Sequence, residues 1–167
     1  RLTYQKHFDL MIDAYSKSKA QQECDLIILG DGELREDLEA QVEALGMEDK
    51  IHLPGRLKNP FVYMKNADFM ALSSRAEGFP MVLIEALSLS CPVISADCPT
   101  GPREIVQDGV NGFLIEQGKQ EVLTDAMDKL FYDKELRQKF STNARKSVEH
   151  LSVENICEEW VALSKQT

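Results

Sequence analysis

An α/β domain, an open parallel sheet with helices on both faces, is the fold this sequence predicts. Two observations lead there. Short apolar runs alternate with segments of helical periodicity over most of the chain, and the runs end in glycine, proline or aspartate turns. Strands that alternate with helices must be joined by crossovers, and right-handed crossovers cover both faces of a parallel sheet.

The elements follow in order. Phe8, Met11, Ile12 and Tyr15 recur at helical spacing. Asp25 to Leu29 is a strand ended by Gly30-Asp31-Gly32. Leu34, Leu38, Val42 and Leu45 mark a second helix, stopped by Gly46. Ile51-His52-Leu53 is a short strand before Pro54-Gly55, and a short helix covers Phe61 to Ala67. Asp68 to Leu72 is a third strand, Pro80 to Leu89 a helix, and Pro92 to Ala96 a fourth strand. Pro102 to Val106 reads as a short helix with proline in its first turn. Gly112 to Ile115 is the fifth strand. The tail is helical: Val122 to Leu130, Leu136 to Val148, and a segment opened by the cap signal at Ser152 and running past Trp160.

A length of 167 residues suits one domain with a sizeable core. No apolar run approaches the ~20 residues of a membrane helix. The net charge of −9 argues against a general nucleic-acid or anionic-membrane surface, yet leaves room for a phosphorylated small molecule held by a local cation or two. Cys24, Cys91, Cys98 and Cys157 form no Cys-x-x-Cys pair, and His7, His52 and His150 stand at no metal-ligand spacing from them. Free thiols and no metal are the expectation. The chain begins at Arg1 rather than Met, which suggests a piece excised from a longer protein.

The chemistry concentrates in Glu77-Gly78-Phe79-Pro80-Met81-Val82-Leu83-Ile84-Glu85. Glu77 sits in a Gly/Pro turn, and Glu85 falls in the opening turns of an apolar helix eight residues on. Both therefore stand at the mouth of one strand-to-helix loop, where open α/β sheets bind ligands. Carboxylates there accept from neutral hydroxyls, and an ionised hydrogen bond contributes about 1.5–3 kcal/mol. Gly78 and Phe79 bring backbone near a ligand, Pro80 stiffens the turn, and Met81 and Val82 present helix-start N–H groups.

Arg1 and Lys6 flank the turn before the first helix and can grip a diphosphate. A cation ~4 Å from a phosphate contributes up to about 4 kcal/mol at an effective dielectric near 20. An exposed helix N-terminus contributes only about 0.3–1 kcal/mol. Ordinary solvated roles compete with each reading: a surface Lys and Arg pair, a loop acid at Glu77, a solvated helix acid at Glu85. Gly30-Asp31-Gly32 lacks the third fingerprint glycine, Arg35 standing in its place, and reads first as a tight turn. Glu104 reads as a structural cap or a support for the cleft. Two acids also admit a glycosidase, which has no evident use for neighbouring phosphate-binding features.

Taken in order, Arg1-Leu2 with Lys6, Gly30-Asp31-Gly32, Gly55, Ala67-Asp68, Ser73-Ser74-Arg75, Glu77 to Pro80, Glu85-Ala86, Pro92-Val93, Glu104-Ile105-Val106 and Asp108 to Gly112 resemble the C-terminal, donor-binding domain of family 4 retaining glycosyltransferases of the GT-B fold. The run Asp97 to Ile105 resembles bacterial members that build capsule, lipopolysaccharide or other surface glycans. The resemblance implies a Rossmann-like sheet and a nucleotide-diphospho-sugar donor, UDP-linked in this subgroup. It implies that a hexose or N-acetylhexosamine passes with retention to a glycan or lipid-linked acceptor.

By position it implies that Arg1 and Lys6 hold the diphosphate and stabilise the leaving group, that Glu77 contacts the sugar, and that Glu85 binds the ribose. Gly78, Phe79, Pro80, Met81 and Val82 would line sugar and phosphates, and Gly55, Arg56, Leu57 and Lys58 would border the base. No cofactor or metal is implied. Residues 1–167 are then one nucleotide-sugar-binding domain. The N-terminal acceptor domain and the strand leading into Arg1 lie outside the sequence, and the isolated piece is expected to transfer little or nothing. A cytoplasmic enzyme is expected, with peripheral association at the inner membrane face left open for the full-length protein. A sugar-nucleotide epimerase of the same fold and a non-catalytic nucleotide-binding module are the rivals. A phosphoacceptor receiver domain is disfavoured, because Asp25 and Asp68 stand at strand starts.

Overall fold

The computed structural model describes residues 1–165. After a 3₁₀ turn at Tyr4–Lys6 the order is α1 (Phe8–Lys17), β1 (Leu26–Leu29), α2 (Arg35–Ala44), β2 (Ile51–Gly55), α3 (Phe61–Asn66), β3 (Met70–Leu72), α4 (Met81–Ser88), β4 (Val93–Ala96) and α5 (Pro102–Ile105). Then come β5 (Gly112–Ile115), α6 (Gln120–Tyr132), α7 (Lys134–Ser147) and α8 (Val153–Ser164). Every strand pairing is parallel, as the alternation of elements predicts.

The expected sheet is hydrogen-bonded as two pieces, β1–β2 and β3–β4–β5. The opening residues tie the pieces together at one edge. The Leu2 N–H donates to the Asp31 carbonyl just after β1, and the Arg75 N–H, just after β3, donates to the Gln5 carbonyl. Residues 1–7 thus lie between the loops that leave the two pieces.

β1 and β4 start one residue later than expected, at Leu26 and Val93, and two larger boundary shifts each have a physical reason. β2 continues through Pro54 and Gly55. It pairs only with β1, so the N–H that proline lacks falls on an open edge, while the Gly55 carbonyl still accepts from the Gly30 N–H at 2.9 Å. β3 starts at Met70 rather than Asp68: its ladder opens where the Met70 N–H reaches the Pro92 carbonyl, and the Asp68 carboxylate pairs instead with Arg137 at 3.1 Å.

The helices cover both faces. Along β4, Val93 joins one buried apolar cluster and Ile94 the other, as successive strand residues must when both sides are packed. Ile94 shares its cluster with Met11 and Ile12 of α1, Leu38 of α2 and Leu130 of α6. Val93 shares its own with Leu83 and Leu87 of α4, Ile105 of α5 and Ala144 of α7. Phe140 is fully buried and meets Phe113 edge to face, ring centroids 5.1 Å apart. Each such side chain contributes roughly 1.5–3 kcal/mol by leaving water. α8 begins as expected, with the Ser152 hydroxyl accepting from the Asn155 N–H at 3.3 Å, and none of its residues is buried.

Candidate active site

The site lies where the strands' C-terminal ends meet residues 1–7. Leu2 is fully buried and acts as the anchor. Its N–H donates to Asp31 and its carbonyl accepts from the Leu34 N–H at 3.1 Å. The segment crosses so close to the start of α2 that a Cβ on Gly32 would stand 2.4 Å from the Leu2 carbonyl oxygen. Gly30-Asp31-Gly32 is therefore a close-approach turn that seats residues 1–2 at the edge of the site.

From Leu2 the chain makes its 3₁₀ turn and then bends at His7, which adopts a left-handed conformation at φ 57°. The Ser73 hydroxyl stands 2.9 Å from both the Lys6 and His7 carbonyl oxygens and donates to that pair. Arg75 stacks its guanidinium over the Tyr4 ring at 3.9 Å and donates to the Tyr4 carbonyl at 2.6 Å. Lys6 is thereby fixed on a short, doubly anchored turn.

Lys6 Nζ lies 2.7 Å from Glu77 Oε1, across 71 residues of sequence. The same oxygen accepts from the Ser74 hydroxyl at 2.6 Å. The Glu77 side chain is only 8% exposed, against 26% for Lys6. Burying a carboxylate is costly unless it is paired and hydrogen-bonded, and here it is both. Sequence reading assigned Lys6 to phosphate and Glu77 to sugar; it did not foresee that they bond to each other. The ammonium keeps two N–H donors for a ligand.

Positive charge gathers around this pair. Lys6, the Arg1 side chain and Arg56 all stand within electrostatic reach of the Arg1 backbone nitrogen, as does Glu77. Arg56 follows Gly55 at the end of β2, so the predicted base-side loop and the predicted diphosphate cations share one electrostatic neighbourhood. An open cavity of about 660 Å³ beside them is lined by Arg1, Thr3, Tyr4, Gln5, Lys6 and Glu33. It covers the basic side of the site and does not extend to Glu85.

The remaining predicted residues occupy the connections around this point. Gly55 ends β2, and Arg56, Leu57 and Lys58 lead toward α3. Gly78 and Phe79 are exposed, Pro80 is buried at the start of α4, and Met81 and Val82 form its first turn. Glu85 stands half-buried on the second turn of α4 and forms no ion pair or hydrogen bond with a described residue. Glu104 is exposed, and it is Arg103 that makes the local ion pair, with Asp97 at 2.5 Å. Burial pushes the Cys98 thiol up and the Cys91 thiol up to about 12, so neither is a ready nucleophile.

Several supporting residues escaped sequence reading. Gln5 donates to the Ala76 carbonyl at 2.6 Å, Thr100 to the Glu77 carbonyl, and Gln117 to the Arg75 carbonyl. Gln117 lies in a turn after β5 and carries no local signal. Only the return of that turn against the Glu77 loop gives it a partner.

The model of the family described as glycosyl transferases group 1 matches residues 1–147. The amylovoran biosynthesis glycosyltransferase AmsD of Erwinia amylovora is 33% identical over 160 residues, 96% of this chain and 45% of that protein. A Campylobacter jejuni protein is 35% identical over 145 residues, 87% of this chain and 39% of its own length. It is named N-acetylgalactosamine-N,N'-diacetylbacillosaminyl-diphospho-undecaprenol 4-alpha-N-acetylgalactosaminyltransferase. The crystal structure of Anabaena Alr3699/HepE in complex with UDP superposes with a TM-score of 0.92 at 26% identity, covering 100% of this chain and 47% of that one. The fold is that of the GT-B C-terminal domain, and the chain spans less than half the length of these relatives.

Proposed function

The chain belongs to the glycosyl transferases group 1 family, and on that premise we propose that it is the donor-binding half of a sugar-nucleotide-dependent transferase. The donor is a UDP-linked hexose or N-acetylhexosamine, the acceptor a glycan or lipid-linked sugar, and the anomeric configuration is retained. The observation that carries this reading is the Lys6–Glu77 contact at 2.7 Å, which places a cation and a carboxylate, far apart in sequence, at one point of the cleft.

The chemistry follows from what each group can do. Lys6 and Arg1 face the diphosphate. As the bond from the anomeric carbon to the diphosphate oxygen lengthens, negative charge grows on the leaving group, and fixed cations there stabilise the transition state more than the ground state. Glu77 accepts from sugar hydroxyls while holding the Lys6 ammonium in place. Glu85 accepts from the ribose hydroxyls. The acceptor hydroxyl attacks the anomeric carbon from the face that the diphosphate vacates, so configuration is kept; the carbon–oxygen bond to the diphosphate breaks, the departing diphosphate oxygen takes the hydroxyl proton, and UDP leaves. Protein cations do the charge neutralisation in this scheme, with no metal assigned. The UDP complex of the Anabaena protein supports the choice of base, and the undecaprenol-linked substrate in the Campylobacter protein's name supports the acceptor class.

A thermal-shift panel of UDP, GDP and ADP, each free and sugar-linked, tests the binding half of this reading. A ligand at 100 times its Kd stabilises the folded state by about 2.7 kcal/mol. UDP compounds should raise the melting temperature most. Equal responses to all three bases would sink the reading, and mass analysis of the product from the full-length protein separates transfer from epimerisation.

A further inference from the structure

Four consecutive backbone carbonyls in the loop after β3 are each capped by a side chain from another part of the chain. Gln117 donates to the carbonyls of Ser74, at 3.4 Å, and Arg75. Gln5 donates to that of Ala76 and Thr100 to that of Glu77. The three donors come from the opening turn, the loop after β4 and the turn after β5. All peptide bonds among the described residues are trans. In a planar trans peptide the N–H of the next residue points opposite to the carbonyl. Holding the carbonyls of 75–77 therefore fixes the peptide planes that carry the N–H groups of Ala76, Glu77 and Gly78, with the Gln5–Ala76 and Thr100–Glu77 bonds at the surface. Of these, the Glu77 N–H is directed at the buried Cys98 thiol, those of Ala76 and Gly78 donate to no described residue, and the Arg75 N–H before them is taken by the Gln5 carbonyl.

We propose that Gln5, Thr100 and Gln117 are positioning residues for sugar transfer, holding this run of peptide planes so that the Glu77 side chain, with Lys6 bonded to it, meets the donor in reactive geometry. The proposal rests on the transferase reading above. It makes the loop pre-organised: its orientation is fixed by side chains that touch no reacting atom. Loop packing alone would ask for stability from these contacts. Positioning asks for a loss that falls on turnover, because misplacement of about 1 Å can cost on the order of a hundredfold.

The test uses Thr100→Val and Gln117→Leu in the full-length protein, with steady-state kinetics and calorimetry for UDP. Each variant should lower kcat about tenfold, and the pair about a hundredfold, while the Kd for UDP stays within about twofold. Thr100→Ser, which keeps the hydroxyl, should recover most of the loss. Wild-type kcat in the double variant, a loss confined to UDP affinity, or a serine variant as impaired as the valine one would each overturn the proposal. Failure of the wild-type protein to transfer from any UDP-sugar would instead overturn the transferase reading. In that event crystal structures decide the positioning claim: a displaced 74–78 loop in the double variant supports it, and an unmoved loop refutes it.

Discussion

Glu77 and Asn111 each sit in a glycine-bearing turn beside a parallel strand, and each bonds to groups distant in sequence. Asn111 is fully buried and uses its whole amide: Oδ1 accepts from the Gln107 N–H at 3.0 Å, and Nδ2 donates to the Ile105 carbonyl at 3.1 Å and to Ser147 Oγ at 2.9 Å. Glu77 engages only Oε1, and its Lys6 partner has donors to spare. Both turns are hydrogen-bonded into place, but one is saturated and the other is not. Saturation suits architecture; surplus capacity at a cleft leaves donors and acceptors that a ligand could use. Motif strength in the sequence does not separate the two, since Asp108 to Gly112 stands out as clearly as Glu77 to Pro80.

The comparison breaks most sharply at Gly112 and Lys6. A Cβ on Gly112 would meet the Val93 carbonyl oxygen at 2.2 Å, inside the β4–β5 ladder, where backbone faces backbone. Gly112→Ala should cost about 4 kcal/mol or more, read as a fall in the denaturant midpoint. Lys6→Ala should lower turnover of the full-length protein by about a hundredfold to a thousandfold, and by more than it weakens ground-state donor binding. Equal transfer rates for wild type and variant would show that the surplus donors on Lys6 serve no ligand.

Asn111→Ala should destabilise by about 3 kcal/mol, because it strands the buried Gln107 N–H and Ile105 carbonyl and leaves a cavity. Its folded fraction should bind UDP as wild type does; a selective loss of affinity would place this turn in the site after all. Glu85→Gln should weaken UDP binding about tenfold with the melting temperature nearly unchanged, and unaltered calorimetric affinity would remove the ribose assignment.

The smallest effect concerns His7, at the bend that aims Lys6. Its Nδ1 is buried and has no hydrogen-bond partner among the described residues. Burial, then the Arg75 charge, holds the ring below its ordinary value of 6.5, against the pull of Asp9 and Ser73. The sign follows from proton counts. Above pH 6.5 the ring is neutral whether folded or not, and it contributes nothing to the pH dependence. Below it the unfolded chain takes up a proton that the folded chain resists, so stability falls as pH drops through 6.5 toward the lower folded value. Melting curves from pH 7.5 to 5.5 should show a shallower decline for His7→Gln than for wild type, and parallel declines would count against the assignment.

The order of elements was legible in the sequence, because local periodicity and turn chemistry fix it: apolar runs, helical spacing and Gly/Pro stops are all properties of near neighbours. Lys6, Glu77 and Glu85 could be singled out as candidates in the same way, because charge beside a strand-end turn is a local pattern. Only tertiary structure decided that Lys6 and Glu77 bond to each other, that Gly32 makes room for Leu2, and that Gln5, Thr100 and Gln117 converge on one loop. Those facts join residues up to 71 positions apart, and hydrogen bonds of 2.5–3 Å between such groups depend on how several loops pack at the sheet edge, which no window of sequence contains.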